Sequence, residues 1–132
     1  MNAVTSRAPF TLTDTPSRTE LLAKYFRGLG DPTRLRILRL LNEAAELSAG
    51  ELVSRLEMPQ ATVSTHLGCL RWCGFVTTRR EDRSVIYSLA DVRVSELVAV
   101  AESLLSDNAE HVACCQTIDR ADTRLADGAS AR

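Results

Sequence analysis

The strongest constraint on how this chain can fold is a pair of short helical patterns three residues apart, followed at once by a change of period. From Ser48 to about Leu56 the apolar positions are Leu52, Val53 and Leu56. From Gln60 to about Cys73 they are Val63, Leu67 and Leu70, one face of a helix. Only Glu57, Met58 and Pro59 lie between, so the turn is tight. Gly74 stops the second helix. The runs Phe75-Val76-Thr77-Thr78-Arg79 and Ser84-Val85-Ile86-Tyr87-Ser88-Leu89 then read as β-strands around the charged stretch Arg80 to Arg83. Two helices, a tight turn and a hairpin with a basic edge describe a winged helix-turn-helix.

The flanking segments are helical. Leu21, Leu22, Tyr25, Phe26 and Leu29 recur at helical spacing from Ser17, closed by Gly28 and Gly30. Asp31-Pro32 supplies an N-cap and a proline at the first helical position, opening a helix with Leu35, Ile37, Leu38, Leu40 and Leu41. A last helix from about Asp91 to Leu105 carries the stripe Val94, Leu97, Val98, Ala101, Leu104 and Leu105. The predicted order is α-α-α-α-β-β-α: mostly α with a small β-hairpin. Aromatics are only 5% of residues against 45% hydrophobic, so the core must be mostly Leu, Val, Ile and Ala, which favours helices. At 132 residues the chain suits one domain with tails: an N-terminal arm at 1–16, the folded domain at 17–106, and a C-terminal tail at 107–132 that contains cysteines. The two apolar helical faces exceed what one small domain can bury, which predicts a homodimer.

In this arrangement the second helix of the pair lies in the major groove. Its first two turns present Gln60, Thr62, Ser64, Thr65 and His66, all able to meet base edges or phosphates of double-stranded DNA. Arg71 on the same helix and Arg79, Arg80 and Arg83 on the wing supply positive charge. The net charge of −1 conceals a division. Residues 60–83 hold four arginines against two acids, and residues 84–132 hold four arginines against eight acids. No acid occurs between Met58 and Arg80, and local charge governs phosphate contact.

Other functions lack their signatures. There is no Gly-rich phosphate loop or nucleophile elbow, and the two histidines have no carboxylate at recognisable spacing, so an enzyme is not expected. No apolar run approaches the roughly 20 residues of a membrane span, and Met1 to Pro16 does not read as a secretory signal. A cytoplasmic protein with no membrane partner is expected. There its four cysteines, Cys69, Cys73, Cys114 and Cys115, would be reduced, which points to metal binding or redox sensing before a disulfide framework.

The segment Gly30-Asp31-Pro32-Thr33-Arg34-Leu35-Arg36-Ile37-Leu38, then Gln60-Ala61-Thr62-Val63-Ser64-Thr65-His66-Leu67 and Leu70-Arg71, resembles the ArsR/SmtB family of bacterial metal-responsive repressors. The likeness covers roughly residues 20–106. It implies a homodimer formed by the first and last helices, binding to an imperfect palindromic operator, and release of DNA when metal binds. Pro59 departs from the family, where Ser or Thr usually caps the reading helix.

Cys69 and Cys73 are four apart on a helix, so they share a face with Cβ atoms about 5–6 Å apart. Two thiolates at that distance can share one soft ion, but the pair is an incomplete site. The vicinal Cys114-Cys115 could fold back to complete it, within one subunit or across the dimer. Gly68-Cys69-Leu70-Arg71-Trp72-Cys73-Gly74 resembles the CmtR-type cadmium/lead sensors of the family, and the resemblance implies Cys114 as third ligand with Cys115 as a substitute. Sulfur donors suit cadmium or lead, and also mercury, arsenite or zinc. His111 is either a spare ligand or a surface residue. The competing expectation is a thiol-redox switch on the same fold. It would have to use the tail, because an i,i+4 pair is too far apart for the ~3.8 Å Cβ separation of a disulfide.

Overall fold

The computed structural model describes residues 17–120. Its elements are α1 (Arg18–Leu29), α2 (Pro32–Ala44), β1 (Glu46–Ser48), α3 (Ala49–Leu56), α4 (Gln60–Trp72), β2 (Val76–Glu81), β3 (Ser84–Leu89) and α5 (Val92–Ala113). Two compact units meet at Ser95 and Glu96 along the chain. The arm predicted at 1–16 and residues 121–132 of the tail lie outside the described residues.

Local chemistry sets the helix starts. Ser17 accepts from the Glu20 N–H while the Glu20 carboxylate accepts from the Ser17 N–H, a capping box that opens α1. Ser48 and Glu51 repeat the device at α3. Asp31 caps α2, accepting from the N–H groups of Thr33 and Arg34, with Pro32 in the first turn.

The core lies where α2 meets α3, α4 and the sheet. Ile37, Leu38 and Leu41 of α2, Leu52 and Leu56 of α3, and Val63, Leu67 and Leu70 of α4 are buried with Leu47, Phe75 and Val76. The predicted apolar faces of the helix pair are therefore the ones buried, except that Val53 is half-buried. Val94 is the one buried residue of α5; Leu104 and Leu105 further along it are exposed, as are Leu21, Leu22 and Phe26 of α1.

Three features differ from expectation. Glu46–Ser48 forms an unpredicted strand, so the hairpin is part of a three-stranded antiparallel sheet in the order β1-β3-β2. Three residues that run straight into a helix cap carry too little alternation to be read as a strand; pairing with Ile86, Tyr87 and Ser88 makes them one. The last helix runs to Ala113 rather than Leu105, through the boundary placed at 106, because Ser106 to Val112 contains no helix breaker. Residues 116–120, within the tail predicted at 107–132, are helical.

Candidate functional site

α4 begins at Pro59, which makes no side-chain cap; its carbonyl accepts from the Val63 N–H at 3.1 Å. Gln60, Ser64 and Thr65 are exposed on the first turns and Thr62 is half-buried. The Thr65 hydroxyl donates to the Ala61 carbonyl at 3.0 Å, turned along its own helix. These side chains form the polar face expected of a reading helix, and Arg71 is exposed near its end.

His66 is placed differently. Its side chain is only 16% exposed, its Nδ1 accepts from the Arg34 Nε–H at 3.1 Å, and the same nitrogen lies 3.8 Å from Asp31 Oδ1. The imidazole is engaged with α2 instead of standing free beside Ser64 and Thr65. The sequence showed Arg34 only as part of a family motif; spacing has no signal for a contact across 32 residues.

The wing basic cluster also divides. Arg79 donates through Nε and Nη2 to the Glu46 carboxylate at 3.1 and 3.0 Å, and through Nη1 to Glu81. These pairs hold the Glu46 carboxyl below its ordinary range and push the Arg79 guanidinium above its own. Arg79 thus braces β2 to β1 across β3, whereas Arg80 and Arg83 stand exposed at the tip. Glu46 sits on the strand the sequence did not reveal.

The far end of α4 is locked by its own chain. Gly74 takes a φ of +83°, its N–H donates to the Arg71 carbonyl at 3.1 Å, and the Phe75 N–H donates to the Leu70 carbonyl at 2.9 Å. This is a Schellman closure, and the two residues it joins, Leu70 and Phe75, are both buried. It sets Cys73 at the C-cap, one turn from Cys69. Both thiols are half-buried, and the Cys73 N–H donates to the Cys69 carbonyl at 3.0 Å. Burial raises the Cys73 thiol above its ordinary range, the adjoining Cys69 adds to this, and the cations Arg34 and Lys24 oppose it. A Cβ at Gly28 would lie 3.4 Å from Cys73 Sγ and 3.5 Å from the Phe75 ring, so the end of α1 lies directly over the thiol. Tyr25, one turn earlier, stacks on Phe75 with ring centroids 4.5 Å apart.

Cys114 is exposed just past α5, Cys115 is half-buried and His111 is exposed. Among the described residues no three His, Cys, Asp or Glu side chains gather into a metal-holding group. The structure places Cys69 and Cys73 one helical turn apart at the end of α4 and gathers no third donor with them among the described residues. The pair fits a soft thiophilic ion by donor type. Among the described residues no helix is long and apolar enough to cross a membrane.

Known proteins match this geometry. The model of bacterial regulatory proteins of the arsR family matches residues 31–78. The chain is 40% identical over 114 residues to the "Probable mercury resistance operon repressor" of Streptomyces lividans, covering 86% of each chain. It is 40% identical over 94 residues to the HTH-type transcriptional regulator CmtR of Mycobacterium bovis, covering 68% of this chain and 79% of that one. Of solved structures, Rv0081 of Mycobacterium tuberculosis superposes with a TM-score of 0.68 at 36% identity, over 76% of this chain and all of that one. The homodimeric winged helix-turn-helix DNA-binding domain Mb0332 of Mycobacterium bovis gives 0.63 at 27% identity, over 76% and 95%. These relatives are transcriptional regulators, not enzymes, and the fold is the winged helix-turn-helix.

Proposed function

This chain belongs to the ArsR family of bacterial regulatory proteins, and from that premise we propose that it is a repressor whose hold on DNA is released through its cysteine thiols. The observation that carries the reading is the half-buried pair Cys69 and Cys73, one turn apart at the end of the helix that offers Gln60, Thr62, Ser64 and Thr65 to DNA. Sensing and reading then share one helix and its C-cap.

In the thiol form, a homodimer formed by α1 and α5 sets two α4 helices into successive major grooves of a palindromic operator. Arg80 and Arg83 contact phosphates beside the groove, and Arg79 acts by stiffening the wing. The exposed apolar residues of α1 and of α5 support pairing with a second copy. Cys69, Cys73 and one of Cys114 or Cys115 would hold a soft ion, which supplies a thiolate-bridging charge. Cadmium and lead are the first candidates, then mercury, arsenite and zinc; the mercury resistance repressor among the relatives argues for including mercury. DNA release then follows from a coupling free energy between the sites, typically about 1–3 kcal/mol. The protein acts in the cytoplasm, where its thiols stay reduced.

The test is an operator-binding titration of the metal-free protein, challenged in turn with each ion and with peroxide. The parent should release DNA on addition of a soft ion, and Cys69→Ser and Cys73→Ser should bind operator normally but fail to release it. Replacing both Cys114 and Cys115 should resemble the helix variants, and either alone should be milder. Full release by Cys69→Ser would overturn the site. Release by peroxide alone would move the function to redox sensing.

A further inference from the structure

Arg34 joins three helices. From α2 its Nη1 donates to the Gly28 carbonyl of α1 at 3.2 Å, and its Nε donates to His66 Nδ1 of α4 at 3.1 Å. Its backbone is fixed by the Asp31 cap, whose Oδ1 accepts from the Arg34 N–H at 3.1 Å. The same Oδ1 lies 3.8 Å from His66 Nδ1. Because Nδ1 accepts here, the imidazole carries its proton on Nε2, a tautomer assigned from the hydrogen-bond network.

Gly28 also lies over the thiol, since a Cβ there would meet Cys73 Sγ at 3.4 Å. The contacts therefore run from Cys73 through Gly28 to Arg34 and His66, and return to α4 between the reading residues and the cysteines. α1 bears on the thiol end of the helix, and α2 grips its middle. Guanidinium donors are directional and cannot lose their charge at working pH, which suits Arg34 to hold two acceptors at a fixed angle.

We propose that Arg34 is the positioning residue of the reading helix, tying the end of α1 that rests on Cys73 to the turn of α4 that carries Ser64, Thr65 and His66. The His66 imidazole then serves as the acceptor that sets the helix in place instead of reading a base. A displacement of the α1 end at Cys73 reaches the DNA-facing turn through one side chain. This rests on the reading of the chain as a thiol-switched DNA-binding protein, and names the residues that link its two functions.

The test is a double-mutant cycle on the metal-free full chain, with operator and random DNA titrated at fixed salt and each variant checked for folding by circular dichroism. Arg34→Met keeps the stem and removes both donors; His66→Leu removes the acceptor; His66→Asn keeps an acceptor close to the Nδ1 position. Loss of a hydrogen bond with a charged partner predicts roughly tenfold weaker operator binding for Arg34→Met and for His66→Leu. Random-DNA binding should change less. The double variant should be no worse than the weaker single, because both remove one link. His66→Asn should recover most of the loss. Additive losses would show His66 reading DNA directly and overturn the proposal, as would parental operator affinity in Arg34→Met. If Arg34→Met does not fold, the contrast between His66→Leu and His66→Asn decides: equal losses overturn the proposal. Cadmium added to the parent forms a separate arm. A parent that ignores cadmium and the other soft ions sinks the metal reading while the metal-free cycle still judges Arg34.

Discussion

At its C-terminal end α4 closes on Gly74 in the left-handed region and on the backbone bond between the buried Phe75 and Leu70, all within six residues of chain. At its N-terminal end Pro59 offers no side-chain cap. What steadies that half comes from α2: the Thr33 hydroxyl donates to Met58 Sδ at 3.7 Å, and Arg34 reaches His66. One end is closed by its own sequence with α1 laid over it, and the other relies on contacts from α2. The comparison teaches that the DNA-facing half of the helix is the half whose position other elements can set, while the thiol-bearing end is an anchored pivot.

The largest effect should come from breaking the anchored end. Phe75 is fully buried and stacks on Tyr25, so Phe75→Ala should lower unfolding free energy by about 3–5 kcal/mol in a denaturant titration. A loss below about 1 kcal/mol would mean the pivot is not core-anchored. Gly74→Ala forces a Cβ into φ +83° and should cost about 1–2 kcal/mol, seen as a lower Tm. The N-terminal half should respond less. Thr33→Val removes one long, weak hydrogen bond and should change stability by less than about 1 kcal/mol. A larger loss would show that end to be anchored too.

The wing sharpens the same contrast between committed and available groups, and its effects should be the smallest. Arg80→Gln or Arg83→Gln should each flatten the log–log salt dependence of DNA binding by about 0.9, and Arg79→Gln should leave it nearly unchanged. An equal change at Arg79 would return that residue to the phosphate contacts. The brace also has a pH signature. Arg79 holds the Glu46 carboxyl below its ordinary range, so its contribution is fully present above that range. It is lost only as pH falls through the lowered range. Wing protection in hydrogen exchange should therefore persist at pH 5, and Arg79→Gln should reduce it at every pH tested.

What could be read from the residues alone was whatever is encoded over a few neighbours. Ser17, Asp31 and Ser48 as helix starts, Gly74 as a stop, the buried faces of α3 and α4 and the shift to β period at Phe75 each rest on one helical turn or one strand. The shared face of Cys69 and Cys73 belongs with them, because helical spacing alone makes it. Tertiary structure decided the rest. Only pairing with β3 turned Glu46–Ser48 into a strand, and only that strand delivered Glu46 to Arg79. Only the packing of α1 and α2 on α4 withdrew His66 to Arg34 and laid Gly28 over Cys73. Helical and strand periods report which face of an element is apolar. They do not report which distant polar group will meet it, and a hydrogen bond across 32 residues is specified by the fold as a whole.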